Sequence, residues 1–321
     1  MFRMQIQSKK KCIWYCSAAV SFLLFLLLNL WCDHLVNMQD AQQMAGRWSE
    51  KKDVAQISCF FSSKAEVTED TIQSFEYSLK NVLQEASITE TSENPSARLW
   101  VDAYSADGKI TLVNGKNTLD ANAIGIGGDF FLFHPLKLIT GSYFSGNDLM
   151  QDYCIIDQDA AWQLFGSNDV VGMTVYIGNV PHIVTGVVRR PQGRMEKAAG
   201  LTSTVVYVSY ETLETYGTSN GINHYEIVMP NPVDEFAYGK VKEGIGIDEK
   251  NVEIVENSRR YSLPNRIKTI FSFGTRSMNG KAIIYPYWEN LARGYEDIIA
   301  FLTVFMLLLL LYPVVTVIWC F

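Results

Sequence analysis

Hydrophobic positions crowd toward the two ends of this chain. Residues 13–31 and 298–321 are long apolar runs without a charged side chain, whereas the stretch between them mixes apolar and polar positions as a folded domain does. At a rise of 1.5 Å per residue, about 20 residues cover the ~30 Å hydrocarbon core of a bilayer, so each run predicts a membrane-spanning helix. The predicted layout is a cytoplasmic tip (1–12), a transmembrane helix (13–32), an outer domain and a second transmembrane helix (298–321).

Arg3, Lys9, Lys10 and Lys11 precede the first run, and no acidic residue occurs before Asp33. This positive flank holds the N-terminus in the cytoplasm and puts the central domain outside. A cleaved signal peptide is the competing reading, but the exit Leu30, Trp31, Cys32, Asp33, His34 offers no small-x-small cleavage site. The same bulky pair argues against lipidation of Cys32. Arg293, Glu296 and Asp297 precede the second run, which carries Pro313, a residue that membrane helices tolerate. An end at Phe321 without a basic anchor is the pattern expected of a truncated sequence or a split subunit.

Leu35, Met38, Ala41, Met44, Ala45 and Trp48 recur at helical spacing and predict that the first helix continues as a stalk over 33–50. Within a linker and second stalk (258–297), Tyr287, Trp288, Leu291 and Tyr295 mark one face of a helix begun at Pro286, and such aromatics favour a membrane interface. The two stalks are expected to pack together.

Between the stalks, Ala55, Ile57, Cys59 and Phe61 alternate with Gln56, Ser58 and Ser62 as a strand. Thr68, Glu69 and Asp70 then start a helix whose buried stripe is Ile72, Phe75, Leu79, Val82, Leu83 and Ala86. A strand over 99–104 is expected to turn at Asp107 and Gly108 into another over 110–113, completing a first half over 51–120. A second half over 201–257 repeats the rhythm, with strands at 204–208, 225–229 and 251–255 and helices at 210–216 and 233–245. Residues 121–200 form an inserted lobe. It holds an apolar strand at 154–156, a helix capped by Asp157 or Asp159 and ended by Gly166, and strands 174–177 and 182–188 joined by Gly178 and Asn179. The fold class is an α+β extracytoplasmic domain, two β-α-β halves with an inserted mixed α/β lobe, between two transmembrane helices.

Within that lobe, Phe130 and Phe131, then Leu138, Gly141 and Phe144, then Leu164 to Gly166, Gly172, and Gly186 to Val188 follow one pattern. It resembles the MacB-like periplasmic domain of FtsX-type ABC-transporter permeases, in which a porter-like half wraps around an inserted lobe between the first two membrane helices. The resemblance covers residues 12–321. Its motifs are structural glycines and aromatics, so they identify a scaffold and not a substrate. Members of that family carry four membrane helices, and this sequence shows two runs.

Composition agrees: 48% hydrophobic residues with a mean hydropathy of +0.04 average two apolar helices with an ordinary domain. A net charge of −7, with the basic cluster confined to the N-terminal tip, gives no extended basic surface and argues against a nucleic-acid partner. Cys12, Cys16, Cys32 and Cys320 lie in or beside the apolar runs, which leaves Cys59 and Cys154 to form a disulfide or stay as buried thiols.

Motifs of chemistry are weak. The Walker-like string 274–281 spaces its glycines wrongly and follows Lys281 with Ala282, and Gly125 to Gly128 reads as a turn. His34, His134, His182 and His224 are scattered and show no metal-ligand spacing. Asp157 and Asp159 read as a strand end and a cap, and Arg189, Arg190 and Arg194 as a solvated basic loop. No residue is assigned a catalytic, cofactor-binding or metal role, and no cofactor is expected. The resemblance implies a permease subunit whose partners are membrane lipid, a second permease subunit and a cytoplasmic ABC ATPase that hydrolyses ATP in its place. It also implies stalks acting as rigid levers, continuous over 33–48 and 286–297, that move a peptide, lipid-linked or antibiotic cargo. A two-helix sensor with an outer ligand-binding domain is the alternative.

Overall fold

In the computed structural model, which describes residues 2–49, 53–89, 98–273 and 283–320, the first apolar run lies inside one helix, α1 (Phe2–Asn37). The stalk expected over 33–50 is not continuous. Met38 N–H reaches His34 O at 3.1 Å, but Gln39 N–H turns to Val36 O, which tightens and ends the last turn. A 3-10 turn (Asp40–Gln42) and the short helix α2 (Met44–Trp48) follow. Their backbone is held by a side chain, because Gln56 accepts from Met44 N–H at 2.9 Å and donates to Ala41 O at 2.7 Å.

The folded body runs β1 (Val54–Phe61), α3 (Glu69–Glu85), β2 (Val101–Asn114), β3 (Asn117–Gly128), α4 (Phe130–Phe133), β4 (Leu138–Gly141), β5 (Tyr153–Asp157) and α5 (Gln158–Phe165). It continues with β6 (Thr174–Ile177), β7 (Val180–Val188), α6 (Arg194–Ala198), β8 (Val205–Ser209), α7 (Tyr210–Tyr216), β9 (Thr218–Ser219), β10 (His224–Pro230), α8 (Phe236–Gly244) and β11 (Val252–Glu256). Helices α9 (Leu263–Phe271) and α10 (Tyr287–Cys320) end the chain.

Among the described residues the strands form one sheet in the order β11-β1-β10-β2-β3-β8-β5-β7-β4, with β6 on β2 and β7, and β9 on β2. Strands β11, β1, β10 and β2 carry the two β-α-β units, and β2 with β3 extends the sheet into the inserted lobe. Strand β8, expected in the second half, pairs with β3 in parallel and with β5, so it belongs to the lobe side.

Two segments expected as turns lie inside strands. Asp107 and Gly108 lie inside β2, facing Ile124 and Ala123, and the hairpin closes at Gly115 instead. Gly108 is needed for close approach, since a Cβ there would sit 2.4 Å from Thr218 O. Gly125 to Gly128 lie within β3, where a Cβ on Gly127 would lie 2.0 Å from the Tyr104 ring. Other local signals hold. Asp157 caps α5 through Ala160 N–H at 2.9 Å, Gly166 ends it at φ 72°, and Gly178 with Asn179 joins β6 to β7. Thr68 and Thr71 form the capping box of α3, which buries Ile72, Phe75, Leu79 and Leu83 and leaves Ala86 exposed.

Because strand side chains alternate, the sheet carries a core on each face. Ala55, Ile57, Cys59 and Phe61 of β1 and Tyr225, Ile227 and Met229 of β10 pack with α3 and α8. Val101, Ile126, Phe130, Phe133, Ile155, Val228 and Trp288 form the other core.

Two compact units result: Asp40–Ser258 with Ser277–Leu291, and Met1–Gln39 with Arg259–Arg276 and Ala292–Phe321. Within the second, α1 and α10 pack together. Ser21 donates to Leu309 O at 2.8 Å, and Cys32 Sγ meets Met306 Sδ at 3.8 Å. Arg260 Nε pairs with Glu296 at 2.5 Å. Two stretches, Ile13–Asn37 and Tyr287–Trp319, are long and apolar enough to cross a membrane.

Candidate functional site

The polar positions of β1 and β10 do not face solvent. Gln56 and Ser58 of β1 and His224 and Glu226 of β10 share the face opposite Ile57 and Tyr225, and all four are buried. Antiparallel register sets Ser58 beside Glu226 and Phe60 beside His224, while β2 puts Ser105 beside His224. Across that face lie His134, at the C-terminal end of α4, and Trp288, in the first turn of α10. The single turn of α4 aims His134 inward. Its N–H closes on Phe130 O at 2.9 Å, and the Phe130 ring stands 4.7 Å from the imidazole.

Glu226 is the centre. Ser58 Oγ donates to Oε1 at 2.5 Å and itself accepts from Asn257 Nδ2 at 2.6 Å. His134 Nε2 lies 2.7 Å from Oε2, and His224 Nε2 lies 3.6 Å from Oε1. The first contact is a close ion pair and the second is beyond hydrogen-bond reach, so His224 Nε2 is a buried polar atom without a hydrogen-bond partner, as is Trp288 Nε1. His224 is oriented from its other nitrogen, with Nδ1 3.3 Å from Ser105 Oγ. The Trp288 ring packs 4.3 Å from His134 and 5.3 Å from His224, and Phe60 stacks on His224 at 5.1 Å. Burial pulls the His134 imidazole below its ordinary value against the pull of Glu226. Burial would raise Glu226, but the two imidazoles more than offset it and hold the carboxyl well below the usual carboxylate range.

Sequence reasoning did not find this cluster, because His134 is 90 residues from His224 in the chain. A partial signal existed: His224-x-Glu226 on a strand necessarily shares one face. His134 and His224, far apart in sequence, thus stand with their rings 5.7 Å apart in the fold. His182 sits apart, its Nε2 3.1 Å from Thr212 Oγ1, and His34 lies on α1. Trp288, expected at a membrane interface, is buried in this core.

Arg190 Nη1 pairs with Asp157 at 2.8 Å, and its Nη2 pairs with Asp159, so the three form one ion-pair group while Arg189 and Arg194 stay exposed. Cys59 and Cys154 are free buried thiols, and burial pushes Cys154 up to about 12. The Walker-like string 274–281 lies outside the described residues. A second acidic pair surrounds Tyr225, which donates to Asp102 at 2.9 Å; burial and Asp102 together push Glu76 up to about 8.

The scaffold that holds this cluster matches a known family. The family model described as the MacB-like periplasmic core domain matches residues 38–254, more than half of the chain. The chain belongs to this family. Among curated relatives, the macrolide export ATP-binding/permease protein MacB of Pasteurella multocida is 31% identical over 83 residues, which are 25% of this chain and 13% of that protein. The MacB of Chromobacterium violaceum is 31% identical over 96 residues, 29% of this chain and 14% of that protein. The chain thus aligns with about one seventh of the length of the relatives it matches. Among solved structures, the periplasmic region of MacB from Actinobacillus actinomycetemcomitans is similar at 18% identity, covering 69% of this chain and 94% of that one, with a TM-score of 0.42. The extracellular domain of the noncanonic ABC-type transporter YknZ from Gram-positive bacteria is similar at 19% identity, covering 62% and 99%, with a TM-score of 0.41. The MacB-like periplasmic core domain is here flanked by two helices long and apolar enough to span a membrane.

Proposed function

We propose that the chain acts as a permease subunit of a MacB-type ABC transporter. Its outer domain couples ATP-driven motion of the membrane helices to the export or extraction of a peptide, lipid-linked or antibiotic cargo. The observation that carries this reading is the family match over residues 38–254, set between the two apolar helices. The N-terminus lies in the cytoplasm, as the flank of Arg3, Lys9, Lys10 and Lys11 favours, and the core domain lies outside. Hydrolysis belongs to a cytoplasmic ABC ATPase, and a second permease subunit completes the pathway. Helix α10 carries the motion. It runs from Tyr287 to Cys320 without a break, tolerating Pro313 within its apolar part.

Affinity purification of the full chain from detergent-solubilised membranes of its native host tests this reading. It is expected to recover an ATP-binding ABC subunit in stoichiometric yield. Recovery of a soluble signalling module in its place would overturn the permease reading for the sensor.

A further inference from the structure

We propose that His134, His224 and Glu226 form a structural zinc site. Among the described residues, their ligand atoms all lie within 4.8 Å of one another, and all three residues are buried. Two imidazoles and a carboxylate are a donor set that zinc takes together with one further ligand. The decisive observation is convergence: His134 Nε2 and Glu226 Oε2 are buried and meet at 2.7 Å, and His224 Nε2, buried and 3.6 Å from Glu226 Oε1, completes no hydrogen bond of its own. Each is a nitrogen or oxygen able to face a cation.

The surroundings are those of a built ligand shell. Ser105 holds the far nitrogen of His224 at 3.3 Å, which presents Nε2 inward, and Ser58, backed by Asn257, holds the Glu226 oxygen that a monodentate zinc would leave free. Aromatic rings of Phe60, Phe130 and Trp288 wall the imidazoles. Ligands 2.0–2.1 Å from a tetrahedral centre stand about 3.3 Å apart, so zinc held through Oε2 opens the 2.7 Å contact of His134 Nε2 with that oxygen by roughly half an ångström. On binding, each imidazole is neutral and gives a lone pair to the metal, and any Nε2 proton leaves to solvent. A site so buried fills as the domain folds. It fastens α4 to β10 and so joins the inserted lobe to the half of the sheet that carries β1 and β10.

The test uses the full chain purified in detergent from cells grown with added zinc, with metal measured by elemental mass spectrometry after gel filtration. About one zinc per chain is expected, and Glu226→Gln and His224→Gln each retain less than a tenth of it. Because those variants can fold poorly, Ser105→Ala and Ser58→Ala serve as mild companions that leave all three ligands. Each should weaken zinc retention against a competing chelator by about 10–100-fold. Growth with cobalt in place of zinc should give the visible absorption of a tetrahedral Co(II) centre, lost in His224→Gln. Wild-type protein that is folded, yet holds no more zinc than Glu226→Gln and shows no cobalt absorption, overturns the site. That result would leave the permease reading intact, since recovery of an ATPase is measured separately.

Discussion

Replacing Glu226 with alanine is expected to cost about 3–5 kcal/mol of stability, the range for removing one partner of a buried charged group. The carboxylate is 1% exposed and answers Ser58, His134 and His224, so its loss strands a buried hydroxyl and two buried imidazoles. For a body of this size the loss corresponds to a fall of about 6–20 °C in melting temperature, read from intrinsic tryptophan fluorescence. The sign of its pH dependence is fixed. Glu226 has a folded pKa below its unfolded value, so its stabilisation is present above the unfolded carboxylate range and is lost as pH falls through the folded value. The gap between wild type and Glu226→Ala should therefore narrow in acid. A variant melting within 2 °C of wild type at neutral pH would show that the cluster contributes nothing.

On the proposed permease function, proline at Gly294 is expected to abolish ATP-dependent export while the partner ATPase continues to hydrolyse ATP. Gly294 lies inside α10, beyond its first turn, where proline removes a backbone hydrogen bond and clashes with the preceding turn at a cost of about 3 kcal/mol or more. Gly294→Ala, which strengthens a helix by about 1 kcal/mol, should leave export at the wild-type level. Met38, which the spacing of apolar residues placed within a continuous stalk, is unsuitable for this experiment, because α1 has already ended at Asn37. In a reconstituted complex, equal export by Gly294→Pro and wild type would show that α10 transmits nothing.

Elements with a strong local signal were legible in the sequence, and those fixed by distant partners were not. Both apolar runs, the capped stripe of α3, the Asp157 cap and the Gly178-Asn179 hairpin were visible because each depends on residues within a few positions. Asp107 and Gly108 carry the composition of a turn, yet α7 and β9 press on that glycine and β2 runs straight through. Strand β8 looked like part of the return half because pairing partners have no local imprint. The same limit hid the site. Ser58 and Gln56 alternate with apolar neighbours and read as a wet face, and only the arrival of His134 and Trp288 from remote segments makes that face a second core. Glu226 in such a strand was the clue, because a carboxylate among Tyr225, Ile227 and Val228 needs buried partners.

The proposed function requires the folded body to stand on the outer side of the membrane. Leu149 is fully exposed, while Cys59 and Cys154 are buried, so Leu149→Cys introduces one reactive thiol into that body. A membrane-impermeant maleimide should label this variant, and not the wild type, in cells whose cytoplasmic membrane is intact. Labelling that appears only after that membrane is broken would put the domain in the cytoplasm and contradict the proposed function.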